Sequence, residues 1–249
     1  MSALIRSELL KLRTIRSWWA YLIVIVLFTA LAVAGEIGSA ENADRSAVEF
    51  QVDLVETAGI ALLLSIILGI TIITTEFRFG TVTPTFLAAP GRELVIAAKT
   101  VAGVVVAAGF ALLSLLFVAA VGLPWLAIVD AQTHLGDAEL WKAALQQILT
   151  AVLWALMGVA IGAVVQSQVA ALVGTLVWIF LGETLLIGLF RLLDIDGAIG
   201  YLPFQALEAA GGGGGEESLG QRAGIAVTLG WFALLGAVGT ERTRRRDIT

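Results

Sequence analysis

Six apolar runs, each long enough to cross a bilayer, dictate what this chain can fold into. They lie at roughly 18–34, 57–75, 94–122, 145–165, 169–190 and 222–239. About 17–25 helical residues cover ~30 Å of hydrocarbon, and the third run is long enough to tilt or project beyond it. Of 249 residues, 59% are hydrophobic and 14% charged; soluble domains are nearer half apolar and a quarter charged. A single soluble core of this size could not hide so much apolar surface. The expected fold is an all-α membrane protein, a single transmembrane domain over 1–249 with six transmembrane helices.

Only Gln166-Ser167-Gln168 separates the fourth run from the fifth. One helix from 145 to 190 would be roughly 69 Å long at 1.5 Å per residue, too long for a single crossing, so a tight polar turn is expected there. The Lys and Arg positions give the orientation. Arg6, Lys11, Arg13 and Arg16, then Arg78, Arg92 and Lys99, then Arg242, Arg244, Arg245 and Arg246 fall on one side, 11 of the 15 basic residues. The other side holds Arg45, Lys142, Arg191 and Arg222 against 14 acids. The positive-inside rule then puts both termini in the cytoplasm of a multi-pass cell-membrane protein. An even number of spans agrees. The basic tail 240–249 reads as a juxtamembrane anchor, and no nucleic-acid partner is expected.

Basic residues, an apolar run and Ala32-Val33-Ala34 also resemble a signal peptide with its cleavage site. The run is longer than the usual 7–15 residues and begins late, which favours an uncleaved anchor. Residues 1–16, MSALIRSELLKLRTIR, read as an amphipathic cytoplasmic helix. At 100° per residue Ile5, Leu9, Leu12, Ile15 and Trp19 share one half, with Ser2, Arg6 and Arg13 opposite. Such a helix can lie in the interface with membrane lipid, although Glu8 and Lys11 intrude on its apolar face.

Between the second and third runs stands TTEFRFGTVTPTFLAAPGRELVIAAK, residues 74–99. Pro84 and Pro90 can open or break helical turns, and Gly80 and Gly91 allow bends. The stretch Thr83–Ala89 is short, partly apolar and flanked by charge. It suits a small helix along the cytoplasmic face, with Phe86 and Leu87 filling a partner's groove and Arg78 and Arg92 fixing register. An ordinary loop whose cations only enforce topology reads equally well from composition.

The run EFRFGTVTPTFLAAPGRELVIAAK resembles the cytoplasmic signature of permease subunits of ABC-2-type transporters. An E-x-R-x-G-T start leads to a short helix ending in P-x-R, and a Lys opens the next span. The opening SELLKLRTIRSWW resembles that family's N-terminal helix. The likeness covers the whole chain in layout, but only residues 7–19 and 76–99 in motif. It implies a membrane subunit working as a homodimer or heterodimer of permeases with a separate ATP-binding cassette ATPase, which would bind the ATP and Mg; no cofactor is expected in this chain. It makes 76–92 a coupling helix, with Glu76, Arg78, Gly80, Thr81, Phe86, Pro90, Arg92 and Lys99 as coupling and docking residues. It implies export of a hydrophobic or amphipathic substrate. A non-transporting six-span scaffold or complex anchor is the alternative.

No G-x-x-x-x-G-K-[ST] cradles phosphates, and Ser218-Leu219-Gly220-Gln221 only superficially matches a cassette signature. Gly211–Gly215 reads as a flexible linker. The chain has no cysteine and one histidine, His134, in an acidic loop; neither a metal site nor a hydrolase triad finds support, so no catalytic residue is expected. Glu183 is the one acid inside a run. It must face protein, a polar cavity or water, either lining a translocation path or hydrogen-bonding within the subunit. Thr71 and Thr74 are further candidates for such a path. AIGYLPFQAL suggests a re-entrant external segment near 197–209, before the last span.

Overall fold

The computed structural model describes residues 2–14, 17–39, 46–80, 92–215 and 218–245. Thr81, Phe86 and Pro90 lie outside these, as do the side chain of Arg92 and the end of the basic tail. Among the described residues all regular structure is helical. Six helices among the described residues are long and apolar enough to cross a membrane: Trp18–Ser39, Val48–Phe79, Leu94–Ile128, Ala138–Val165, Gln168–Leu192 and Gln221–Thr243. Large apolar side chains lie exposed along several of them, among them Ile23, Leu27 and Leu31 on the first span and Val169, Val173 and Phe180 on the fifth. Water would penalise that surface, and lipid does not. The chain is a multi-pass α-helical membrane protein.

The second span starts at Val48 rather than near 57, because Val48–Glu56 is helical and a 3-10 turn, Thr57–Gly59, joins it to Ile60–Phe79. Its acids, Glu49, Asp53 and Glu56, keep it out of the apolar run that begins near 57. Phe50, Leu54 and Val55 are nevertheless buried. The turn between the fourth and fifth spans forms where expected. Gln166 is left-handed at φ 56°, donates its N–H to Gly162, and hands over to the extended Ser167.

The second and fourth spans form the centre. They meet backbone to backbone: a Cβ added at Gly69 would strike the Ala155 carbonyl, and one at Gly158 the Ile66 carbonyl. Gly162, one turn on from Gly158, would bring a Cβ to 3.0 Å from the Ile70 carbonyl. Small residues at this spacing let membrane helices approach closely where no hydrophobic drive pulls them together. The first span joins through a single stripe, Ile25, Thr29, Val33 and Ile37, each fully buried. Thr29 and Ser114 of the third span share a 2.8 Å hydroxyl hydrogen bond.

Between the fifth and sixth spans a 3-10 turn, Asp196–Tyr201, and a short helix, Pro203–Ala210, occupy the stretch expected near 197–209. Phe204, Ala206, Leu207, Ala209 and Ala210 are buried. The helix packs against the fourth and sixth spans, and Trp231 Nε1 donates to the Tyr201 carbonyl at 2.9 Å. His134 ties the loop before the fourth span to the start of the second span. Its ring Nε2 lies 2.9 Å from the Ser46 carbonyl, and its N–H donates to Gln51.

Candidate functional site

One end of the bundle gathers most of the residues singled out from the sequence. The N-terminal helix, Ser2–Thr14, lays Leu9 and Leu12 against the core and leaves Arg6 and Arg13 exposed. Glu8 and Lys11 therefore do not spoil its inner face; they are the polar centre of it. Lys99 Nζ stands 2.6 Å from Glu8 Oε2 and 2.8 Å from Glu76 Oε1. Lys11 Nζ stands 2.7 Å from Glu8 Oε1 and 3.3 Å from Glu76 Oε1. Two cations and two anions alternate, so each charge faces two of opposite sign.

Glu8, Glu76 and Lys99 are all buried, and the Lys11 side chain is about half exposed. Stripping water from charges is costly, and only close pairing of this kind offsets it. Burial alone raises the Glu8 carboxyl, but Lys99 and Lys11 outweigh it and hold it below its ordinary value. For Lys11, burial alone lowers the ammonium, while Glu8 and Glu76 together hold it above its ordinary value.

This cluster brackets the expected coupling segment. Glu76 is in the last turn of the second span, and Lys99 in the second turn of the helix beginning at Arg92. Gly80 ends the second span in a left-handed conformation, φ 66°, and donates its N–H to the Glu76 carbonyl. Arg78 is exposed and donates from Nη1 to Gln168 Oε1 at 3.0 Å, tying the end of the second span to the start of the fifth. The sixth span ends here too: Arg242 donates to the Val164 carbonyl and Gln166 to Thr243. A cavity of about 20 Å³ bordered by Glu76, Lys99 and Thr243 has room for a single water.

Glu183 lies in the other half of the molecule. A five-residue π-turn, Trp178–Gly182, precedes it; such bulges recur at functional sites. The residue is 2% exposed. Its Oε1 accepts from the Phe204 N–H at 2.8 Å and from Trp178 Nε1 at 3.3 Å. The carboxylate thus caps Pro203–Ala210 from outside, where the helix presents unpaired N–H groups. It also lines a partly open cavity of about 300 Å³. Thr71 and Thr74 do not border that cavity. Their hydroxyls donate to the carbonyls of Ile67 and Ile70 on their own helix, and Thr74 is fully buried.

Glu8 and Lys11 were missing from the residues singled out for coupling. The signal lay in SELLKL: an acid and a base three residues apart on the side that also carries Leu9 and Leu12.

Among the described residues, six apolar helices with a buried ionic cluster at one end of the bundle define a polytopic membrane protein. Residues 4–182, more than half of the chain, match the family described as ABC-2 family transporter protein, and the chain belongs to that family. Comparison with curated proteins gave no match.

Proposed function

We propose that this chain is the permease subunit of an ATP-driven exporter. A separate ATP-binding cassette subunit docks on the 76–92 segment, as ABC-2 membrane proteins generally partner with ATP-binding subunits. The observation that carries the reading is the Glu8–Lys11–Glu76–Lys99 cluster. It clasps both ends of the expected coupling segment to the N-terminal helix, in a chain of this family. A push on the segment would then move three elements together.

On this reading the clustered end is cytoplasmic, as the excess of Lys and Arg there argues, and the membrane is the cell membrane. Two permeases pair, and closure of two ATPase subunits shifts the pair between inward- and outward-open states. ATP and Mg belong to the partner, and this chain contributes no bond-making chemistry. Glu76, Arg78, Gly80, Thr81, Phe86, Pro90, Arg92 and Lys99 transmit force. The substrate is hydrophobic or amphipathic and leaves the cell. Glu183 with its short helix, dipping into the outer leaflet, is the part nearest its exit.

The test is co-purification of tagged protein with its ATPase, followed by Arg92→Glu. The expected result is a captured ATPase whose stimulation, with transport, falls at least tenfold in the variant. Unchanged stimulation and transport would remove the coupling assignment. The chain has no cysteine, so Thr85→Cys offers a single label site, expected to react only from the cytoplasmic side.

A further inference from the structure

We propose that the cavity beneath Pro203–Ala210 is a binding site for a small organic cation: an ammonium carrying an apolar body. The cavity, about 300 Å³, is at the small end of ligand pockets. Its walls come from the second, fourth and fifth spans and the short helix. Three carboxylates, Glu56, Glu183 and Glu208, and three carboxamides, Gln146, Gln147 and Gln205, line it, and no basic side chain is among the described residues that do. Every charge it presents is negative, so an anion is repelled and a cation drawn in.

One further feature defines the cation. Trp154 and Phe204 line the cavity with ring centroids 5.5 Å apart, and aromatic faces attract ammonium groups. Leu62, Ala143 and Ile179 complete an apolar wall. A hard metal ion fits poorly. It needs six or more close oxygens, and no group of three acids among the described residues is tight enough to hold one.

The test uses full-length protein in nanodiscs without its ATPase, so its failure leaves the transporter reading untouched. Calorimetry compares phenyltrimethylammonium with tert-butylbenzene, the same shape without charge. The cation should bind saturably, one per chain, at least tenfold tighter than the neutral isostere. Glu183→Gln should weaken the cation at least tenfold. Should that variant fail to fold, the exposed pair Glu56→Gln with Glu208→Gln carries the same expectation at a few-fold. Equal binding of cation and isostere, no saturable binding, or indifference to the carboxylate changes overturns the proposal.

Discussion

Lys99 and Glu8 are 91 residues apart in sequence, yet their side chains meet at 2.6 Å in a buried ion pair. That contact fastens the N-terminal helix to the third span and turns two separate sequence motifs into one mechanical unit. Removing one partner leaves the other buried with one opposite charge in place of two, which costs up to the about 3–5 kcal/mol of breaking a buried pair outright. Lys99→Gln or Glu8→Gln alone should therefore lower the melting temperature of the purified protein. The double variant should lose less than the sum of the two, because their effects share one interaction. ATPase stimulation should fall in step. Additive losses would mean the pair does not act as a unit.

The same cluster sets a pH window. Glu8 is held below its ordinary value, so its contribution is present above the unfolded carboxylate pKa. It is lost as pH falls through the lower folded one. Lys11 is held above its ordinary value. Its share is complete below the unfolded lysine pKa and disappears as pH rises through the folded one. Attachment of Ser2–Thr14 should be insensitive to pH between the ordinary carboxylate and lysine ranges and weaken outside them. Hydrogen exchange of that helix should show both limbs, and Glu8→Gln should erase the acid one.

Length and hydropathy were enough to read six spans and the turn at Gln166, because a bilayer imposes both on any helix that crosses it. Charge misled at two places. Glu49, Asp53 and Glu56 hid a helical extension whose buried side is Phe50, Leu54 and Val55; a strip of acids on the opposite side reads as loop in a linear scan. Glu8 and Lys11 looked like flaws in an amphipathic face because their partners, Glu76 and Lys99, come from distant sequence. Gly69, Gly158 and Gly162 carried no visible role, since close approach is a property of two helices and only one can be seen at a time. Glu183 was legible as an acid needing shelter, but not as the cap of a helix twenty residues on.

Glu183 gives the third prediction. Alanine there leaves the buried Phe204 N–H without its acceptor, at about 1–3 kcal/mol, and removes negative charge from a helix N-terminus. Glutamine keeps an acceptor oxygen. Glu183→Ala should thus raise hydrogen exchange through Pro203–Ala210 well above Glu183→Gln. Equal exchange in the two variants would show that the carboxylate does not cap the helix.

Close packing of the second and fourth spans gives the fourth. Gly158→Ala puts a methyl into the Ile66 backbone, which can yield only by separating the helices; overpacking of this kind costs about 1–3 kcal/mol. Gly103→Ala is the control, its new Cβ at 3.7 Å from Val159 Cγ2 being ordinary contact. Helix propensity there favours alanine by about 0.8–1 kcal/mol. The first variant should melt earlier than the parent, while the second should match or exceed it.

Gly80 separates backbone geometry from docking chemistry at the expected coupling end. Its φ of 66° closes the second span by the N–H bond to Glu76, and a left-handed residue with a Cβ costs roughly 1–2 kcal/mol. Among the described residues nothing lies within 4 Å of where that Cβ would stand, so the cost is conformational and not steric. Asparagine tolerates this geometry better than alanine. If Gly80 matters because it turns the chain toward the coupling segment, Gly80→Asn should retain most ATPase stimulation and Gly80→Ala should lose several-fold. If it matters because the partner's surface presses on it, the larger asparagine should be the worse of the two.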